Sequence, residues 1–272
     1  MRGNTGGAGS SWVAVLVTGA LLAGCSAQAA DGGSPRRAGA SAHTASPRAA
    51  VSPPGGSTAA PVFTPDASLV PRTAEDGQRL VESVVPAPGD WGRGFVAQDP
   101  AVSRPGTWAV LDDGCRWGRE QAPRGVLAAL SRYSVLPADG SRGAVKVTAA
   151  ATVHASALGA DEQLSTTLEE VLRCPEQRPR ADALITGLNS LGTPFGAREQ
   201  EHADDSVLEA GLYVEKGGAA QPYRWMVARL GTVVVAVSVT GAKGHTEQEL
   251  QQRGADALGQ MLARVQQRLK GK

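Results

Sequence analysis

Aromatic side chains are scarce in this chain: they make up 4% of 272 residues, with three tyrosines and three phenylalanines. A core must therefore rest mainly on Val, Leu and Ala. An excess of either charge is also missing, since 27 basic residues face 26 acidic ones and leave a formal +1. That balance excludes the general positive field of a nucleic-acid-binding protein, and no nucleic-acid partner is expected. Catalytic signatures are absent too: there is no G-x-S-x-G elbow, no H-E-x-x-H pair, no P-loop and no dinucleotide fingerprint. Gly89-Asp90-Trp91-Gly92-Arg93-Gly94 has the wrong spacing and lacks a strand-to-helix setting, so it reads as a loop. No catalytic residue, metal or cofactor is expected.

What is present begins with an uncharged run from Trp12 to Leu22 behind Met1-Arg2. It fits the short apolar segment of a secretory signal and is too short to span a bilayer, which takes about 20 apolar residues. The run ends in Leu22-Ala23-Gly24-Cys25, which resembles the lipobox of bacterial lipoproteins. That resemblance implies cleavage between Gly24 and Cys25, a diacylglyceryl thioether on Cys25, and a lipid anchor on the outer face of the cell membrane. From Ser26 to about Arg72 the chain is nearly all Ala, Gly, Ser, Pro and Thr. Such a stretch cannot bury enough surface to offset its ordering entropy. The expected organisation is a signal peptide over residues 1–24, a lipidated Cys25 with a disordered linker over 25–74, and a globular domain over 75–272.

Within that domain, periodicity places an opening helix near 76–85, stopped by Pro86-Ala87-Pro88-Gly89, and a strand over Val145–His154. A helix capped at Asp161 carries Leu164, Leu168, Val171 and Leu172 to Cys174-Pro175. Ser206–Val214 reads as a strand, and 223–230 with 232–239 form a tight hairpin around Gly231, its Val-rich arm central in a sheet. Leu250, Leu258, Met261, Leu262, Val265 and Leu269 stripe a long last helix. The fold class is α+β, an antiparallel sheet with helices packed on one face.

With Cys25 committed to lipid, Cys115 and Cys174 are the remaining thiols in an oxidising compartment, and a disulfide is the default pairing. Free buried thiols or a metal pair are the alternatives. The Trp-bearing Gly114-Cys115 segment, Leu172-Arg173-Cys174-Pro175, the Arg229-Leu230-Gly231-Thr232-Val233-Val234 hairpin and the terminal amphipathic helix together resemble the PknH-like extracellular sensor domain. That domain occurs on actinobacterial receptor kinases and on free-standing surface lipoproteins. The resemblance covers roughly residues 75–270 and implies an antiparallel sheet with packed helices and a ligand cleft. It departs in that family members commonly carry two cystine bridges, and this chain can make one.

Among the polar residues, Glu199-Gln200-Glu201-His202-Ala203-Asp204-Asp205 has donors for a weak cation but lacks a fixed ligand spacing, so it reads as a solvated turn. His154 and His245 have no nucleophile partner in sequence and read as structural. Tyr213, Tyr223 and Trp225 are the candidates to line a ligand cleft, against the commoner use of aromatics as core. The functional expectation is a non-catalytic ligand-binding or sensing lipoprotein whose partners are the membrane, through its lipid, and a small-molecule or envelope-protein ligand. An envelope hydrolase of unfamiliar motif and a structural wall-binding module are the alternatives.

Overall fold

Continuous valine in Val233-Val234-Val235-Ala236-Val237 cannot be a half-exposed strand; apolar side chains at both parities require cover on both faces of a sheet. The computed structural model, which describes residues 63–271, shows that cover. Its strands are β1 (Val96–Val102), β2 (Thr107–Leu111), β3 (Trp117–Gln121), β4 (Val126–Leu136), β5 (Val145–His154), β6 (Gln177–Arg180), β7 (Ala183–Gly192), β8 (Asp205–Glu215), β9 (Gln221–Leu230) and β10 (Val233–Thr240). Its helices are α1 (Ala74–Val84), α2 (Ala157–Arg173) and α3 (Glu247–Leu269). Eight strands form one antiparallel sheet in the order β1-β4-β5-β10-β9-β8-β7-β6, while β2 and β3 pair only with each other. The fold is thus α+β, and the Val-rich arm is central.

One expectation is corrected. The helices are not all on one face. Val233, Val235, Val237 and Val239 belong to the core covered by Leu80, Val81 and Val84 of α1 and the buried stripe of α3. Val234 and Ala236, pointing the other way, pack with Val207, Val227 and Ala160 and Leu164 of α2. The second apolar parity of β10 is the physical reason, because it demands its own helix.

α2 also begins a turn earlier than its sequence pattern suggests. Ser156 is the N-cap and its hydroxyl accepts from the Gly159 N–H at 3.1 Å. Asp161 lies inside the helix and reaches Arg229 at 3.4 Å. Leu164 and Val171 are buried as expected, whereas Leu168 and Leu172 are exposed. Upstream, residues assigned to the linker lie against the domain: Phe63 packs on the main core and the Asp66 N–H donates to Leu269 O at 2.8 Å. Among the described residues no helix is long and apolar enough to cross a membrane.

One close approach sets the path of β7 across β8. A Cβ on Gly211 would sit 2.9 Å from Thr186 O and 3.2 Å from Leu188 Cα, where β7 shifts register between Thr186 and Asn189. Both neighbours are backbone and cannot swing aside. Gly211→Ala should cost about 1–3 kcal/mol, read as a lower urea midpoint at unchanged slope; an unaltered midpoint would show that β7 yields freely.

Candidate functional site

The β2–β3 hairpin turns through Asp112–Arg116 and carries Cys115 at φ +58°. The sulfur of Cys115 lies 2.11 Å from that of Cys174, the C-cap of α2, so the two cysteines sit at disulfide distance. The Arg178 N–H donates to Cys115 O at 2.8 Å and Trp117 Nε1 donates to Gln177 Oε1 at 2.8 Å, tying the hairpin also to β6. Fixed at that end, the hairpin faces the α2 side of the sheet, and a cleft of about 470 Å³ lies between them.

The chain has three tyrosines, and all of them, Tyr133, Tyr213 and Tyr223, line this cleft together with Trp117 and Trp225. Strand parity brings them there. Tyr223 and Trp225 are two residues apart on β9, and the register sets Gly211 against Tyr223 and Glu209 against Trp225, so Tyr213 projects from the same face. The rings of Trp117 and Trp225 approach to 6.4 Å between centroids. Meanwhile the main core is nearly all aliphatic, with Trp91 and Phe95 its buried aromatics. Tyr213 is at the same time buried in a small core cluster with Val171, Ile185 and Leu188, against which Tyr223 packs, so these tyrosines serve both cleft and core.

Polar groups complete the lining. Ser131, Thr148, Ser238 and Thr240 bring hydroxyls from β4, β5 and β10. Arg119 is held by Thr107 Oγ1 at 3.0 Å, Thr107 O at 2.7 Å and Ser131 Oγ at 3.2 Å. Lys146 and Arg180 share the Glu215 carboxylate, which they hold below its ordinary range. Arg180 reaches Asp182 as well, at 3.1 Å. Burial pushes the Tyr213 phenol up to about 12, so it remains a neutral donor. The surface offers flat apolar rings and many hydroxyls, with two of its three cations already balanced by carboxylates.

Beside the cleft, between the hairpin and α2, lies a narrower recess of about 250 Å³. Glu170 of α2 lines it, its carboxyl raised to about 7 by burial against a smaller opposing pull from Arg173. Behind it, Glu209 of β8 is 2% exposed, its Oε1 has no hydrogen-bond partner, and burial with help from Glu170 raises it to about 8. Tyr133, Glu170 and Glu209 were not among the residues expected from sequence. Glu209 had a legible signal: it shares the strand parity of the buried Val207 and Tyr213, an unusual place for a carboxylate.

The other residues singled out in the sequence are placed apart from the cleft. His154 is buried with a ring nitrogen 2.7 Å from Gln163 Oε1, and burial lowers its pKa. His245 lies between Arg142 and Gly143 O. In the acidic turn, Asp204 Oδ2 accepts from the Gly231 N–H at 2.7 Å and Arg229 Nη1 at 3.0 Å, and Glu199 accepts from Ser206 Oγ. Among the described residues no group of three or more candidate ligands could hold a metal ion. Gly24, Cys25, the signal segment and the first part of the linker lie outside the described residues.

No family model matches this chain. Nor does any curated protein. A crystal structure of an uncharacterised Mycobacterium smegmatis protein, described as an Rv0999 ortholog, aligns over 65% of this chain and 92% of its own, at 12% identity and a TM-score of 0.35. A likeness at that level carries no argument about function.

Proposed function

We propose that this chain is a lipid-anchored, extracytoplasmic ligand-binding protein, held by Cys25 and using the hairpin cleft as a non-catalytic binding site for a small molecule. The observation that carries the reading is the gathering of all three tyrosines, with Trp117 and Trp225, on one cleft of about 470 Å³ in an aromatic-poor chain. Support comes also from the lipobox-like Leu22-Ala23-Gly24-Cys25 and from the resemblance of residues 75–270 to PknH-like sensor domains. That resemblance suggests an actinobacterial-type surface lipoprotein with a sensing domain.

The test is native mass spectrometry of the folded protein after exposure to an envelope extract. Recovery of an unmodified ligand is expected, with Trp225→Ala weakening its binding tenfold or more, about 1.4 kcal/mol, while leaving the far-ultraviolet circular dichroism unchanged. Equal retention by Trp225→Ala would move the site elsewhere. For the anchor, Cys25→Ala should release the protein to the medium or stall its processing; continued partitioning into a detergent phase would overturn that half of the proposal.

One observation favours a hydrolase as the second reading. Glu170 and Glu209 form a carboxyl pair raised toward neutrality, a pattern typical of general acids. Only Glu170 lines a cavity, however, and Glu209 lines neither the cleft nor the recess. Turnover of the recovered ligand, lost in Glu170→Gln, would decide for the enzyme.

A further inference from the structure

The recess beneath α2 is unlike the cleft it adjoins. The two share Ala109, Trp117, Arg119, Ser131, Ala150 and Trp225, so they adjoin along those residues. Deeper in, the recess is walled by Trp108, Leu130, Val227, Val234 and Ala236. Most of its polar side chains are already engaged. Gln163 holds His154, Thr166 and Thr167 donate to carbonyls of their own helix, and Arg173 donates to the carbonyls of Leu111 and Asp112. Glu170 is uncharged at slightly acid pH because burial raises it to about 7. A polar ligand would find few partners there beyond the Glu170 carboxyl and would forfeit much of its hydration. An apolar one would gain by leaving water.

At the cleft end the chemistry reverses. Tyrosine and tryptophan faces stand among the hydroxyls of Thr148, Ser238 and Thr240, and the nearby cations Lys146 and Arg180 already share Glu215. Flat apolar faces rimmed by hydroxyls, with Lys146 and Arg180 neutralised and Arg119 already donating to Thr107 and Ser131, suit an uncharged, hydroxyl-rich ring, which can lay a C–H face on an aromatic and exchange hydrogen bonds at its edge.

We propose that cleft and recess form one trough for an amphiphile, with a sugar-like head over Tyr213, Tyr223 and Trp225 and an alkyl tail beneath α2. This rests on the ligand-binding reading above and names its ligand class. The recess, at about 250 Å³, matches the space of roughly eight waters at ~30 Å³ each, and so a tail of about eight carbons.

The experiment is calorimetric titration of the full chain carrying Cys25→Ala, without detergent, with methyl, butyl, hexyl, octyl and decyl β-glucosides below their micellar concentrations. Burial of each methylene should tighten Kd by about fourfold, giving about 250-fold from butyl to octyl and little more at decyl. Filling the recess with Ala129→Leu, or from the helix side with Thr167→Phe, should abolish the chain-length dependence and leave methyl glucoside binding intact. Equal Kd along the series would overturn the amphiphile while sparing the cleft as a binding site. Chain-length dependence that survives both filling variants would place the tail elsewhere and overturn the proposal. Binding of no glucoside would overturn it too, and the envelope-extract experiment would then judge the cleft separately.

Discussion

Raising the pH from 7 to 9 will destabilise the domain by about 2 kcal/mol, lowering its melting temperature by roughly 4–8 °C, and Glu209→Gln will remove most of that loss. Glu209 is 2% exposed and its Oε1 lacks a partner, so the carboxylate is the form the fold disfavours. Its pKa is raised to about 8 from an ordinary 4.5, and that of Glu170 to about 7. Between the ordinary value and these raised ones, the native chain binds more protons than the unfolded chain. Stability therefore falls as pH rises through that window and levels off above about 8.

The charged groups facing the pair are few. Arg173 of α2 pulls Glu170 down, Glu170 repels the ionisation of Glu209, and Tyr223 is kept protonated by its own burial with Glu209 beside it. His154 acts in the opposite sense: its depressed pKa makes stability rise with pH up to about the ordinary 6.5, which confines it to the acid side of the window. The depressed carboxylates, such as Glu215 and Glu249, are already ionised throughout. Melting curves at pH 7, 8 and 9 for both proteins are the measurement. A wild-type slope no steeper than that of Glu209→Gln would mean that water reaches Glu209 and satisfies its charge.

The same parity rule that makes Glu209 conspicuous also marks the limits of what could be read from the chain. Strands β5, β8, β9 and β10 and the α3 stripe were legible because their apolar residues repeat at two or at three to four, and all six α3 stripe residues are buried. Tyr213, Tyr223 and Trp225 were legible as neighbours once β8 and β9 were strands. β1, β3 and β6 were not, because they are short or largely exposed edges: β3 reads Trp-Gly-Arg-Glu-Gln and β1 contains Pro100. β4 was missed although it is eleven residues long, since Ala, Ser and Arg dilute its alternation. With β4 went Tyr133. The side of the sheet taken by α2 was in principle visible in the doubly apolar run of β10, whereas the hairpin's position over the cleft was not. That position depends on β2 and β3 pairing with each other and on a cystine joining residues 59 apart, neither of which leaves a local trace.

The cystine is accordingly where the second large effect is expected. Cys115→Ala with Cys174→Ala should lower stability by about 4 kcal/mol, from the entropy returned to an unfolded chain no longer closed over 59 residues. The melting temperature should drop by roughly 8–16 °C. The loss should also be uneven. The sheet core of β5, β9 and β10 does not include the bridge, but the hairpin depends on it, with Trp117–Gln177, Arg178–Cys115 and the Arg173 contacts as its further ties. Hydrogen exchange should therefore accelerate first at residues 107–121 while β10 amides keep their relative protection. Because the hairpin supplies Trp117 and Arg119 to the cleft, ligand affinity should fall at temperatures where the sheet is still intact. Uniform exchange across hairpin and sheet would show instead that the bridge stabilises the domain only as a whole. Two titratable thiols in the native protein, isolated without reductant, would show that it is not formed at all.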